Sequence, residues 1–231
     1  MQPLVLELQR ECLNSSALVP DILRKALVVA TKLGIVEFRE LCENELNGYR
    51  GQKNPPEFRK VQGQVKVLDP QHGWQPFVFE NPEQGRVLSE RYSNQSASEL
   101  EDLLRRKDDK GDALQMNFPS ELLSHWSDTE FMQLGLVPIL IVNRSSIQGV
   151  VDSVRNLILE WSLRLEQEGV LGEGMTFSAK EKQKAASLVY NINSITGIVG
   201  GNVIADNVQI SNYNSIHQKL KELGVPQAQR N

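Results

Sequence analysis

One stretch, Ser145–Gly174 (SSIQGVVDSVRNLILEWSLRLEQEGVLGEG), reads as a long amphipathic helix followed by its stop. Ser145 and Ser146 can cap its N-terminus, and Asp152 lies early enough to suit the dipole. Apolar residues recur at Ile147, Val150, Val151, Val154, Leu157, Ile158, Trp161 and Leu165, a spacing that keeps one helical face dry. Gly169 stands where a glycine cap belongs, and Gly172 and Gly174 prevent the helix from resuming at once. Six turns cover about 35 Å, enough to cross a domain. The shorter elements are therefore expected to pack against this helix, with Trp161 in the core.

Ahead of it, Leu4, Val5, Leu8, Cys12 and Leu13 mark a first helix that ends in the polar loop Asn14–Ser16. Pro20 suits the first turn of a second helix, which Gly34 stops, and VEFRELCENEL forms a third that runs to Gly48. After Arg50–Pro56 the period changes to alternation. Arg59–Leu68 and Pro76–Glu80 predict a hairpin with His72, Gly73 and Trp74 at its tip. Asn81–Tyr92 and Ala97–Asp109 read as surface helices, the mixed-charge run ELEDLLRRKDDKGD being a solvated face. LQMNFPSELLSHW offers an extended piece and then a helix opening at Pro119. Val137–Asn143 is the best strand, with Pro138 marking an edge or a strand end. Beyond the long helix, Ser178 and Glu181 have the spacing of a capping box.

The style changes at Asn191–Ser215, which carries no basic side chain. Ile198, Val203, Val208 and Tyr213 recur every five positions, and Asn202, Asn207 and Asn212 precede the last three. That period suits short stacked strands better than a helix. So few rungs cannot cover their own apolar ends, and asparagines ladder well between identical strands. These seven residues are the expected oligomerisation surface, against the plainer reading of a hairpin lying on the parent domain. The fold class predicted is α+β: N-terminal helices, a small antiparallel sheet and one long central helix, then a short Asn-rich β segment. The domain expected is 1–188, with 189–231 an oligomerisation tail ending in a short helix.

The 231 residues suffice for one domain plus an appendage, or for two small domains, and should bury roughly 70% of the unfolded surface. A formal charge of −4 argues against non-specific nucleic-acid binding, leaving a local basic patch open. Cys12 and Cys42 lie in helical patterns and fit reduced thiols in a cytosolic protein better than a structural pair in a secreted one. Glu7 interrupts the N-terminal apolar run and no basic lead precedes it, so no signal peptide is expected. Leu136–Val142 falls far short of the ~18 apolar residues that span a bilayer. A soluble cytoplasmic protein without membrane contact is the expectation.

Catalytic motifs are lacking. No carboxylate cluster follows a strand, and His125 and His217 are isolated, so neither a metal site nor a cofactor is predicted. The phosphate-loop, dinucleotide and G-x-S-x-G motifs are absent, and VGGNV lacks the lysine of a phosphate loop. Two groups still resemble binding sites. His72 and Trp74 at the hairpin tip offer an imidazole and a stacking indole, against the plainer reading that Trp74 folds back onto the sheet. Arg155, Asn156 and Glu160 share the long helix and offer a polar groove for an anion or a peptide. The plainer reading pairs Arg155 with an acid of another element, Glu43 or Glu45, locking helix to helix.

VRNLILEW (Val154–Trp161) and LEQEGVLGEGMTFS (Leu165–Ser178) resemble the AbiTii-type abortive infection domain of bacterial phage-resistance proteins. So do LRKALVVATKLGIVEFRELCENELNGY (Leu23–Tyr49), with the specific phrase NELNGY, and HGW at His72–Trp74. The resemblance runs from about Leu4 to Ser178. It implies phage defence by abortive infection, which the residues alone do not reveal. The reading is a non-enzymatic binding and assembly module that associates with itself and responds to a phage or host protein. The rival is a toxin enzyme acting on nucleic acid or nucleotides, built around His72, Trp74, Arg155 and Glu160.

Overall fold

The computed structural model describes residues 2–51, 55–79, 81–106, 114–124 and 130–187. The Asn-rich segment with its seven expected interface residues lies outside them, as do His125 and His217.

Three helices open the chain: α1 (Leu4–Leu13), α2 (Val19–Leu33) and α3 (Val36–Asn47). Pro20 sits in the first turn of α2, and Gly34 ends it in the left-handed conformation at φ 78°. A single turn of 3-10 helix, Glu57–Arg59, leads into β1 (Lys60–Asp69), which returns as β2 (Gly73–Pro76). Then come α4 (Pro82–Leu88), β3 (Glu90–Tyr92), α5 (Ala97–Arg105), β4 (Leu114–Asn117), α6 (Ser120–Leu123), α7 (Glu130–Gln133) and β5 (Ile139–Val142). The long helix α8 (Arg144–Gln167) and α9 (Ala179–Ser187) close the described chain.

The strands run β2-β1-β5-β4, every pair antiparallel, and β3 pairs with the first residues of β1. Alternation along β1 decides which side is dry: Val61, Val65 and Val67 are buried while Gln62, Gln64 and Leu68 are exposed. Helices α1, α2 and α5 and strand β1 all pack on α8. The architecture is α+β, with the long helix at its centre. Trp161 is fully buried and stacks on Phe38 of α3, ring centroids 3.8 Å apart and planes 11° from parallel.

Local chemistry accounts for most boundaries. The N-cap of α8 is Asn143, whose side-chain oxygen accepts the Ser146 N–H at 2.9 Å, so Ser145 and Ser146 lie inside the helix. Gly169 (φ 69°) turns the chain after α8, and Val170 N–H donates back to Leu165 O at 2.8 Å. The Ser178–Glu181 capping box forms as expected. Glu181 also accepts the Leu171 and Gly172 N–H groups, fastening α9 to the turn. Burial works against the Glu181 carboxylate, but the N–H groups of Ser178, Gly172 and Leu171 outweigh it and hold its pKa below the usual range. This fastening is complete at neutral pH and weakens as pH falls through that lowered value.

Two further sequence expectations need correction, and a third is decided between its two alternatives. The second hairpin arm is Gly73–Pro76 rather than Pro76–Glu80, because Asp69 closes the turn early by accepting the Gln71 and His72 N–H groups. Asn81–Tyr92 is not one helix: Glu90–Tyr92 pairs with Lys60–Gln62 instead. Pro138 precedes a strand that lies between β1 and β4, so it marks a strand end and not an edge.

Gly63 shows why β1 and β5 can meet. A Cβ there would stand 2.6 Å from the Ile141 carbonyl oxygen and 2.9 Å from Leu140 Cδ1. Gly63→Ala is expected to cost about 1–3 kcal/mol in thermal unfolding. Gly149→Ala, on the open side of α8 with nothing within 4 Å, is expected to gain about 0.5–1 kcal/mol. Equal effects at the two positions would remove the steric account.

Candidate functional site

Arg155 projects from α8 to the loop between α1 and α2. Its guanidinium donates to the carbonyls of Cys12 (3.3 Å), Asn14 (3.0 Å) and Ala17 (2.6 Å). The last turn of a helix leaves carbonyls without amide partners, and a cation suits that negative end. The expected pairing with Glu43 or Glu45 is thus replaced by a cap on α1. Glu43 approaches Arg39 at 3.7 Å on its own helix. Asn156 is exposed, and Glu160 accepts from Arg164 one turn on, at 2.7 Å. Arg155→Ala is expected to destabilise by about 2 kcal/mol, the scale of charge-assisted hydrogen bonds, with partial recovery in Arg155→Lys. A chain equally stable to urea with alanine there would mean the cap is idle.

Glu45 has a different partner. Arg59 donates to it through Nε at 2.9 Å and again through Nη2, and Tyr49 Oη donates to the same carboxylate at 2.7 Å. Arg59 Nη1 reaches the Gln95 carbonyl at 2.6 Å, and the guanidinium carbon lies 5.0 Å from the centre of the Tyr49 ring. All three side chains are buried. This triad ties α3 to the start of the sheet, and sequence reasoning missed it. A signal was present: Phe38, Leu41, Cys42 and Glu45 share one stripe of α3, so an acid on a dry face demanded a cation.

The hairpin tip is a separate place. Asp69 Oδ1 accepts the backbone N–H groups of His72 (2.9 Å) and Gln71 (2.7 Å) and lies 3.1 Å from His72 Nδ1. Those N–H groups, that of His72 first, hold the Asp69 carboxyl below its ordinary range. Trp74 is 38% exposed and faces Leu68, 52% exposed, across the strands. It does not fold back onto the dry side. Among the described residues, no hydrogen bond or ion pair joins His72 or Trp74 to Arg155, Asn156 or Glu160. Among the described residues the two groups of expected site residues stay apart, with no bond between them.

Beside Arg155 lies a cleft of about 300 Å³ between the α1–α2 loop, α5 and α8, lined in part by Ser15, Leu18, Glu101, Leu104 and Asp152. Glu101, read as part of a solvated face, is buried and accepts the Val19 N–H of α2 at 2.7 Å. A second cleft of about 380 Å³ lies where the exposed side of the sheet meets the start of α8, between Gln62, Gln64, Lys66 and Ser146. Both cysteines are free and buried; burial pushes the Cys12 thiol up to about 12 and raises Cys42 further, so neither is a ready nucleophile. Among the described residues, no group of three or more His, Cys, Asp or Glu could hold a metal ion, and no helix is long and apolar enough to cross a membrane.

The AbiTii family model matches residues 3–190. The chain belongs to the AbiTii family. No curated protein and no solved structure matches it. Family membership places the chain in abortive infection, a defence against phage. Two of the phrases that carry the AbiTii resemblance close its core, while HGW stands on the exposed hairpin tip. In NELNGY, Glu45 and Tyr49 belong to the buried triad, and Gly48 (φ 83°) passes so near the next loop that a Cβ would stand 2.7 Å from Asn94 O. In VRNLILEW, Arg155 caps α1 and Trp161 stacks on Phe38.

Proposed function

We propose that this AbiTii chain serves abortive infection as a non-enzymatic binding and assembly module. It associates with itself and answers a phage or host protein. The observation that favours this over a toxin enzyme is the use made of Arg155: its guanidinium is engaged by three backbone carbonyls. The expected polar groove is thereby part of the scaffold, and His72 stands on an exposed turn elsewhere. Self-association is assigned to the tail, residues 189–231, separate from a domain over 1–188. Its support is the five-residue period of Ile198, Val203, Val208 and Tyr213, with Asn202, Asn207 and Asn212 able to hydrogen-bond to their copies.

Deleting residues from Asn191 onward is expected to leave a folded, more monomeric domain that no longer protects cells from phage. Light scattering reads the first effect and plating reads the second. A full-length chain that runs as a monomer at micromolar concentration would end the assembly reading. Turnover of DNA, RNA or nucleotides by the purified chain, lost in His72→Ala, would establish the enzyme instead.

A further inference from the structure

Glu101 is 7% exposed, and among the described residues only one of its two oxygens has a partner. Oε1 accepts the Val19 N–H at the start of α2, where Leu18 supplies no side-chain cap and Pro20 has no N–H to satisfy. Oε2 is buried and accepts no hydrogen bond among the described residues. A buried carboxylate oxygen left open is costly, and a cationic donor is the group that best relieves it. Glu101 lines the cleft beside Arg155, so its neighbours decide what such a donor can be.

The cleft's own cations are engaged. Arg155 serves the α1–α2 carbonyls, and Arg105 pairs with Asp102 at 2.9 Å. Asp152, which among the described residues takes only the Gln148 amide at 2.9 Å, adds a second acid to the wall. Leu18, Leu104 and Val151 supply apolar surface, which suits a methylene stem. At about 300 Å³ the space lies at the small end of ligand pockets and suits one side chain better than a larger ligand.

We propose that this cleft receives a single basic side chain, a lysine or arginine presented by another protein, whose head group donates to Glu101. Because Oε2 is out of solvent contact, binding of the head group requires a side-chain shift in the cleft wall that opens a path to it. The proposal deepens the protein-partner part of the functional reading and is independent of self-association, since its probes are small peptides that report on the cleft alone.

The test uses the full chain, with the Val19 amide followed by NMR during titration with acetyl-Gly-Arg-Gly-amide at millimolar concentration. The arginine peptide is expected to shift the Val19 and Ser16 resonances. Glu101→Gln keeps an oxygen for Val19 but loses the charge, and should weaken that binding about tenfold or more. If Glu101→Gln does not fold, Ser16→Trp at the exposed rim replaces it and must likewise suppress the Val19 shift. Equal shifts with acetyl-Gly-Gln-Gly-amide or with cytidine would overturn the proposal, showing a neutral amide or base edge to be accepted as well. Silence with every probe, or full affinity in the variant that folds, would overturn it too.

Discussion

Replacing Trp161 with alanine is expected to lower stability by roughly 3–5 kcal/mol, the range for deleting a large aromatic from a core. In a chain of this size that is a fall in melting temperature of roughly 10 °C. The residue is fully buried, and its ring lies flat on Phe38, so the substitution removes a stack and leaves a hole between α8 and α3. Neighbouring side chains have little room to close it, since Ile158 and Leu165 on the same face are themselves out of solvent. Trp161→Phe should keep part of the stack and lose less. A melting temperature unchanged by Trp161→Ala would mean that the wrong face of α8 is inside.

That helix was the part of the fold most open to sequence reasoning, because its 24 residues repeat one apolar period often enough to overrule local noise. Three-residue β3 has no period to repeat, and its place is set by the open backbone of Lys60–Gln62 far away in the chain. The candidate site divides in the same way. Glu45 was legible as an acid on an apolar stripe, although its partner was not, because Arg59 reads as the first residue of an alternating strand and belongs instead to the 3-10 turn ahead of it. Arg155 was legible as a charge needing company. Its partners are backbone carbonyls, which every residue carries and which leave no trace in a sequence. Glu101 was misread because a mixed-charge run normally faces water, and its reason for burial is an amide 82 residues earlier.

Arg59→Met tests the buried triad and should be as damaging as the loss of Trp161. Arg59 and Glu45 are both without solvent contact, so removing the guanidinium strands a carboxylate that, among the described residues, only Tyr49 then supports. The expected loss is about 3–5 kcal/mol, most of it the penalty of an uncompensated buried charge and not the net worth of the pair. The two origins separate in the double variant Arg59→Met/Glu45→Gln, which leaves no buried charge there and keeps an acceptor for the Tyr49 hydroxyl. It should regain more than half of what the single change loses, a coupling that denaturant titration resolves. Because Glu45 and Tyr49 lie in NELNGY, this also asks what that phrase does in an AbiTii protein. If its role is architectural, protein abundance and protection from phage should fall together in Arg59→Met and recover together in the double variant. If protection stays lost while the double variant is folded and abundant, the triad has a direct part in defence, and the architectural account of NELNGY fails.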